Sequence, residues 1–132
     1  MIKELCEYIE ANTSFVVRTT LFALAVDLGT VDECVVMTEP TPGLADGYLT
    51  DLRQIPLVAY ARAKTRFTAR DNAYTVFNLL HGADQITLGP IGGGDTYICN
   101  FVCRTPYYMG LDETSRRYMF VVPVDVTLTN IT

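Results

Sequence analysis

The sequence predicts one α+β domain. Three observations carry that prediction: a cleanly alternating run from Ile55 to Lys64, a helical stripe that follows it and stops at His81-Gly82, and a final third whose apolar segments have the period of strands. A chain of 132 residues suits a single domain, 1–132, that buries roughly two-thirds of the surface exposed by its unfolded form. Hydrophobic residues make up 49% and charged residues 19%, too apolar for a disordered chain. The longest apolar stretches, Leu21 to Val26 and Met119 to Val124, fall far short of the ~20 residues of a membrane-spanning helix.

In chain order, Ile2, Leu5, Cys6 and Ile9 share one helical face, which predicts a short N-terminal helix stopped near Asn12 and Thr13. Glu4 stands where a signal peptide would need a basic and then an apolar run, so the chain is expected to stay in the cell that makes it. Phe15 to Val17 and Leu21 to Val26 fit either extended chain or partly buried loop. Glu33 to Thr38, β-branched and bounded by Asp32 and Pro40, reads as a buried strand. Glu39 to Leu52, with its prolines and glycines, reads as a long connection of the kind that meets partners.

From Ile55 onward Ile55, Leu57, Ala59, Ala61 and Ala63 share one face, and Val58, Tyr60, Arg62 and Lys64 the other. The second face is expected to be wet. Its cations, with Arg66, read as solvated charge, since few aromatics stand beside them to stack bases. The next helix is expected to start at Thr68, with Asp71 completing a T-x-x-D capping box, and to bury Ala69, Ala73, Val76, Phe77 and Leu80. His81-Gly82 supplies the stop.

Three strands are predicted after it, Gln85 to Leu88, Thr96 to Arg104 and Tyr118 to Thr129, with 89–95 and Met109 to Arg116 as connections. Pro123 is expected to confine the last strand to an edge or a bulge, where it could recruit a partner strand.

No reaction chemistry is written in the motifs. The glycine-rich Gly89 to Asp95 lacks the Lys-Ser/Thr of a phosphate cradle and lies between strands. His81, the one histidine, sits at a helix C-terminus and reads as a cap or surface residue. Cys6, Cys34, Cys99 and Cys103 read as reduced, buried thiols, and neither they nor His81 have metal-ligand spacing. The pairs Asp32 with Glu33 and Asp112 with Glu113 read as solvated turn charges. No catalytic residue, cofactor or metal is therefore expected. A net charge of −5 and a pI near 4.7 disfavour phosphate-backbone binding. The function class expected is docking onto other protein chains. Its competitor is a small enzyme or ligand-binding domain using Cys34 or His81 in a pocket between sheet and helix.

The opening Met1-Ile2-Lys3-Glu4-Leu5 helix, the segment from Ala61 to Gly82 with its A-R-D-x-A-Y-x-V helix ending in L-H-G, and Pro106 to Val126 with the turn Gly110-Leu111-Asp112 form a recurring layout. Together they resemble the tail terminator, or minor capsid, proteins of long-tailed bacteriophages. That resemblance implies a mixed, mainly antiparallel β-sheet with two helices packed on one face. It also implies a ring homo-oligomer, a hexamer, at the head-proximal end of the tail in the virion. The partners implied are further copies of the chain, the tail tube protein and head–tail connector proteins, with DNA only passing through the ring channel. A head-completion or neck protein on the portal side is the alternative within the same resemblance. Contact residues are expected in the long connections and on the strand face: Glu39, Asp46, Tyr48, Asp51 and Arg53; Arg62 and Lys64; Asp95; and Asp112, Glu113, Arg116 and Arg117.

Overall fold

The computed structural model describes residues 2–17, 19–23, 33–39, 44–45, 52–89, 96–112 and 116–130. Their order is α1 (Ile2–Asn12), β1 (Leu21–Ala23), β2 (Cys34–Thr38), β3 (Leu44–Ala45), β4 (Leu52–Ala63), α2 (Arg66–Leu80), β5 (Ile86–Leu88), β6 (Tyr97–Cys103), β7 (Tyr107–Asp112) and β8 (Arg117–Asn130). One sheet takes all eight strands in the order β1-β2-β4-β8-β6-β5, with β3 beside β4 and β7 beside β8. Among the described strand pairs only β1–β2 is parallel. The fold is α+β with a mixed, mainly antiparallel sheet and both helices on one face, as expected. Among the described residues no helix is long and apolar enough to cross a membrane.

The spine is the β4–β8 ladder, from Leu52 opposite Thr129 to Ala63 opposite Tyr118. Each outer flank is divided between two shorter strands: β3 and β2 along β4, β6 and β7 along β8. The divisions explain how two prolines sit inside central strands. The Val58 carbonyl accepts the Thr38 hydroxyl at 3.1 Å and so faces β2. Two residues back, Pro56 faces the same way and turns its missing N–H into the interval between β3 and β2. Pro123 does the same on the other flank, where its carbonyl accepts the Arg104 N–H at 2.9 Å between β6 and β7. The expected edge position of the last strand is thereby corrected: β8 is flanked on both sides, and its proline stands where no ladder donor is required.

The core lies between the sheet and the helices. Ile2, Leu5, Cys6 and Ile9 bury the predicted face of α1, whose last turn is closed by Asn12 Nδ2 to the Tyr8 carbonyl at 2.9 Å and Thr13 Oγ1 to the Ile9 carbonyl at 2.7 Å. On α2, Ala69, Ala73, Val76 and Leu80 are buried above the equally buried Ala59, Ala61 and Ala63 of β4, small residues that let helix and strand approach closely. Phe77, expected in the core, is only half-buried at its margin and stacks on His81, ring centroids 4.9 Å apart. The helix starts earlier than predicted. Its N-cap is Thr65, whose hydroxyl oxygen accepts the Thr68 N–H at 3.2 Å, so Thr68 lies inside the first turn. At the other end the His81 N–H reaches the Phe77 carbonyl at 2.8 Å and Gly82 takes φ +77°, a left-handed position that glycine fills without strain.

The second face of the sheet is covered around β2 and β4, while Val102 and Asp125 on it remain exposed. Cys34, Val36 and Val121 are buried there, and Arg62, expected in solvent, is 3% exposed. The segment read as a connection around Met109 holds β7, which pairs with the start of β8 and carries a bulge between Tyr108 and Gly110.

Candidate docking surface

The first turn of α2 lies beside β7. Because the chain leaves β4 at Ala63 and is capped at Thr65, Arg66 and Arg70 fall one turn apart on the flank of the helix next to the sheet margin. The Arg66 guanidinium sits 4.2 Å from the centre of the Tyr108 ring, and that of Arg70 sits 4.6 Å from the Tyr74 ring. Tyr108 in turn packs on Phe120, its cross-strand partner, at 5.4 Å between centroids. Arg66, Phe67, Arg70, Tyr108 and Phe120 line an open cleft of about 380 Å³.

Large apolar side chains crowd this margin while remaining in contact with solvent. Phe67 is 78% exposed, Met109 57%, Tyr107 53% and Leu111 42%. The bulge inserts Met109 as an extra residue, and Gly110 takes φ +130° to accommodate it. β7 pairs with β8 on one side, and among the described residues no strand occupies the other. Burying one such side chain is worth about 1.5–3 kcal/mol, so each of these exposed side chains forgoes a stabilisation of that order within its own fold. Phenylalanine, tyrosine, methionine and arginine are also the residue types that concentrate in the energetic centres of protein interfaces. A cation held over an exposed ring adds about 0.5–1 kcal/mol and keeps the arginines oriented.

A second cleft, of about 570 Å³, opens between α1 and β1, lined among others by Cys6, Glu7, Glu10, Leu21 and Phe22. The Glu10 carboxylate accepts the Val17 N–H at 2.6 Å, which ties the chain leaving α1 back onto the helix.

The predicted contact residues scatter with respect to these surfaces. Lys64 is exposed in the turn before α2, and Asp112 pairs with Arg117 at the far end of the β7–β8 hairpin, where Arg116 is exposed at φ +56°. Those positions adjoin the aromatic margin. Arg117 is half-buried and its Nη1 donates to the Arg116 carbonyl at 3.4 Å. Arg53 is half-buried in β4, and Glu39 is exposed just beyond β2. Arg62 is a correction: it is buried opposite Cys34 and belongs to no surface. Asp46, Tyr48, Asp51, Asp95 and Glu113, with most of the long connection and the glycine-rich loop, lie outside the described residues. Sequence reasoning missed Phe67, Tyr108 and Met109, while Leu111 falls within the segment Gly110 to Arg117 expected to make contacts without itself being singled out. Phe67 had a signal, since it falls outside the Ala69-Ala73-Val76-Leu80 stripe.

Cys34 and His81 do not share a pocket. Cys34 lies on the face away from the helices, whereas the His81 Nδ1 accepts the Cys103 N–H at 3.1 Å on the helix side, so the sheet separates them. All four thiols are buried and unbridged. Burial pushes Cys6 and Cys99 up to about 11 and Cys103 up to about 12, the last helped by the Asp125 carboxylate. Burial raises Cys34 as well, opposed by the charge and hydrogen bond of Arg62. Among the described residues no three His, Cys, Asp or Glu side chains come together as metal ligands.

Neither a protein-family model nor a curated protein matches the chain.

Proposed function

We propose that this chain is a virion structural protein of the tail-terminator type, which assembles into a ring that caps a phage tail tube and presents the surface met by the head connector. The observation that carries this reading is the open cleft between α2 and β7 lined by Arg66, Phe67, Arg70, Tyr108 and Phe120, with Phe67 78% exposed and the neighbouring β7 side chains Tyr107, Met109 and Leu111 also in solvent. A cluster of that composition is the hallmark of a surface made to be covered by protein. The motif layout from Ala61 to Gly82 and around Gly110 supplies the choice of assembly, and the acidic balance suits a ring through which DNA passes without being held. In this reading the tube, the connector and neighbouring copies are the partners, and the protein resides at the head-proximal end of the tail.

Native mass spectrometry of the purified chain across concentration tests it. A discrete closed species of about six copies is expected. A single-copy mass at every concentration overturns the reading.

A further inference from the structure

Leu21, Val35, Ala61, Phe120 and Tyr108 form one unbroken row of cross-strand partners through β1, β2, β4, β8 and β7. Each end of the row opens into a cleft. Leu21 lines the cleft between α1 and β1, and Tyr108 lines the cleft between α2 and β7. Four strand spacings of about 4.8 Å lie between them, roughly 19 Å of sheet. The two clefts have no residue in common.

Their charges are opposite. The cleft beside β7 is lined by the cations Arg66 and Arg70 and, among its described lining residues, by no carboxylate. The α1 cleft presents Glu7 and Glu10 against the single cation Lys3. Their shapes differ in a matching sense: the α2 margin carries Phe67, 78% exposed, and the α1 cleft offers about 570 Å³ of space beside Leu21 and Phe22. A chain of net charge −5 repels its own copies. Close association is therefore favoured where a cationic patch on one copy meets an acidic patch on the next.

We propose that the Arg66, Phe67, Arg70 and Tyr108 surface of one copy docks on the Glu7 and Glu10 cleft of a second copy. Because the two patches differ and terminate opposite flanks of one sheet, the contact is head-to-tail. Each added copy presents a fresh patch of each kind, and the series ends only when rotation brings the last copy back to the first. The inference rests on the ring reading above and names the two surfaces that make the ring.

Charge exchange tests it. Arg70→Glu and Glu7→Lys are made separately, together in one chain, and as an equimolar mixture of the two single variants, with assembly read by sedimentation velocity and native mass spectrometry. Both positions are exposed, and far-UV circular dichroism compares each variant with wild type. Each single variant is expected to self-associate about tenfold more weakly or worse. The double variant and the mixture are expected to regain assembly, because each restores an opposite-charge pair at every contact. Single variants that assemble like a ring-forming wild type overturn this docking pair and leave the ring reading intact. Loss in the single variants without recovery in the double variant or the mixture also overturns it. A wild-type chain that stays at single-copy mass overturns the ring reading and the docking pair together.

Discussion

Cys34 and Arg62 face each other across the β2–β4 ladder, on the side of the sheet away from both helices, at 1% and 3% exposure. A guanidinium at that depth must offset its desolvation through the partners it reaches, the Cys34 thiol among them, and its three-carbon stem fills space that would otherwise be void. The pair therefore belongs to the architecture of the sheet.

Arg62→Ala should lower stability by about 2 kcal/mol or more, through the cavity and the lost polar partners together. Arg62→Met, which keeps the stem, should lose clearly less. Urea unfolding of the three proteins measures both differences. Equal losses for Ala and Met would remove packing by the stem from the account.

The start of α2 offers a sharper comparison. Thr65→Ala removes the oxygen that accepts the Thr68 N–H and should cost about 1 kcal/mol. Thr68→Ala changes a residue already inside the helix and should be close to neutral, because alanine gains in helix propensity what the hydroxyl contact loses. The reverse order in thermal unfolding would place the cap at Thr68.

The thiols give stability a pH dependence of definite sign. Their ordinary value is 9.0, and in the folded chain Cys6 and Cys99 rise to about 11 and Cys103 to about 12. The folded state thus holds these protons more tightly than the unfolded state. Their contribution is complete below pH 9 and is lost as pH climbs through 11 to 12, because the unfolded chain gives up its thiol protons first. Cys103→Ala should be less stable than wild type at pH 8, by a margin that narrows by pH 10.5 or so. A margin independent of pH in urea titrations would refute the assignment.

Two phenylalanines separate folding from docking. Phe101, 1% exposed, should cost about 3–5 kcal/mol when changed to alanine. Phe67→Ala, at a side chain 78% exposed, should leave the melting temperature within a degree or two of wild type yet weaken self-association. A large stability loss for Phe67→Ala would show that the side chain packs within its own subunit.

The two helices and β4 were legible because their periods are undisturbed: Ile2, Leu5, Cys6 and Ile9 repeat on one turn spacing, and Leu57 to Ala63 alternate without interruption. Alternation tells which residues share a face but not what lies over that face, and for this reason alternation alone puts Arg62 in solvent. β7 was hidden by its own bulge, since Met109 and Gly110 break the period of two at mid-strand. Pro123 misled because a proline forbids only the donor on its own side, and nothing local announces that the neighbouring strand is interrupted there. The exposed aromatic margin is not legible in the sequence for a thermodynamic reason. Tyrosine, methionine and phenylalanine are assigned to cores by type, and only tertiary structure reveals which of them the core leaves out.

The place of β8 in the sheet also bears on how the protein is made. β8 pairs with β4, β6 and β7 and brings Phe120, Val122, Val124, Val126 and Leu128 to the core, yet it follows every other described element in the sequence. On the ribosome, the twelve residues of β4 have no central partner until some sixty further residues have been added, several seconds at about 5–20 residues per second. Pairing across so long a loop is slow in its own right. Until β8 emerges, β7 has no strand to lie against and Tyr108 has no Phe120 beneath it. The Tyr108–Phe120 contact at this margin is therefore among the last features to form during synthesis, and until then β4 and β7 present unpaired edges.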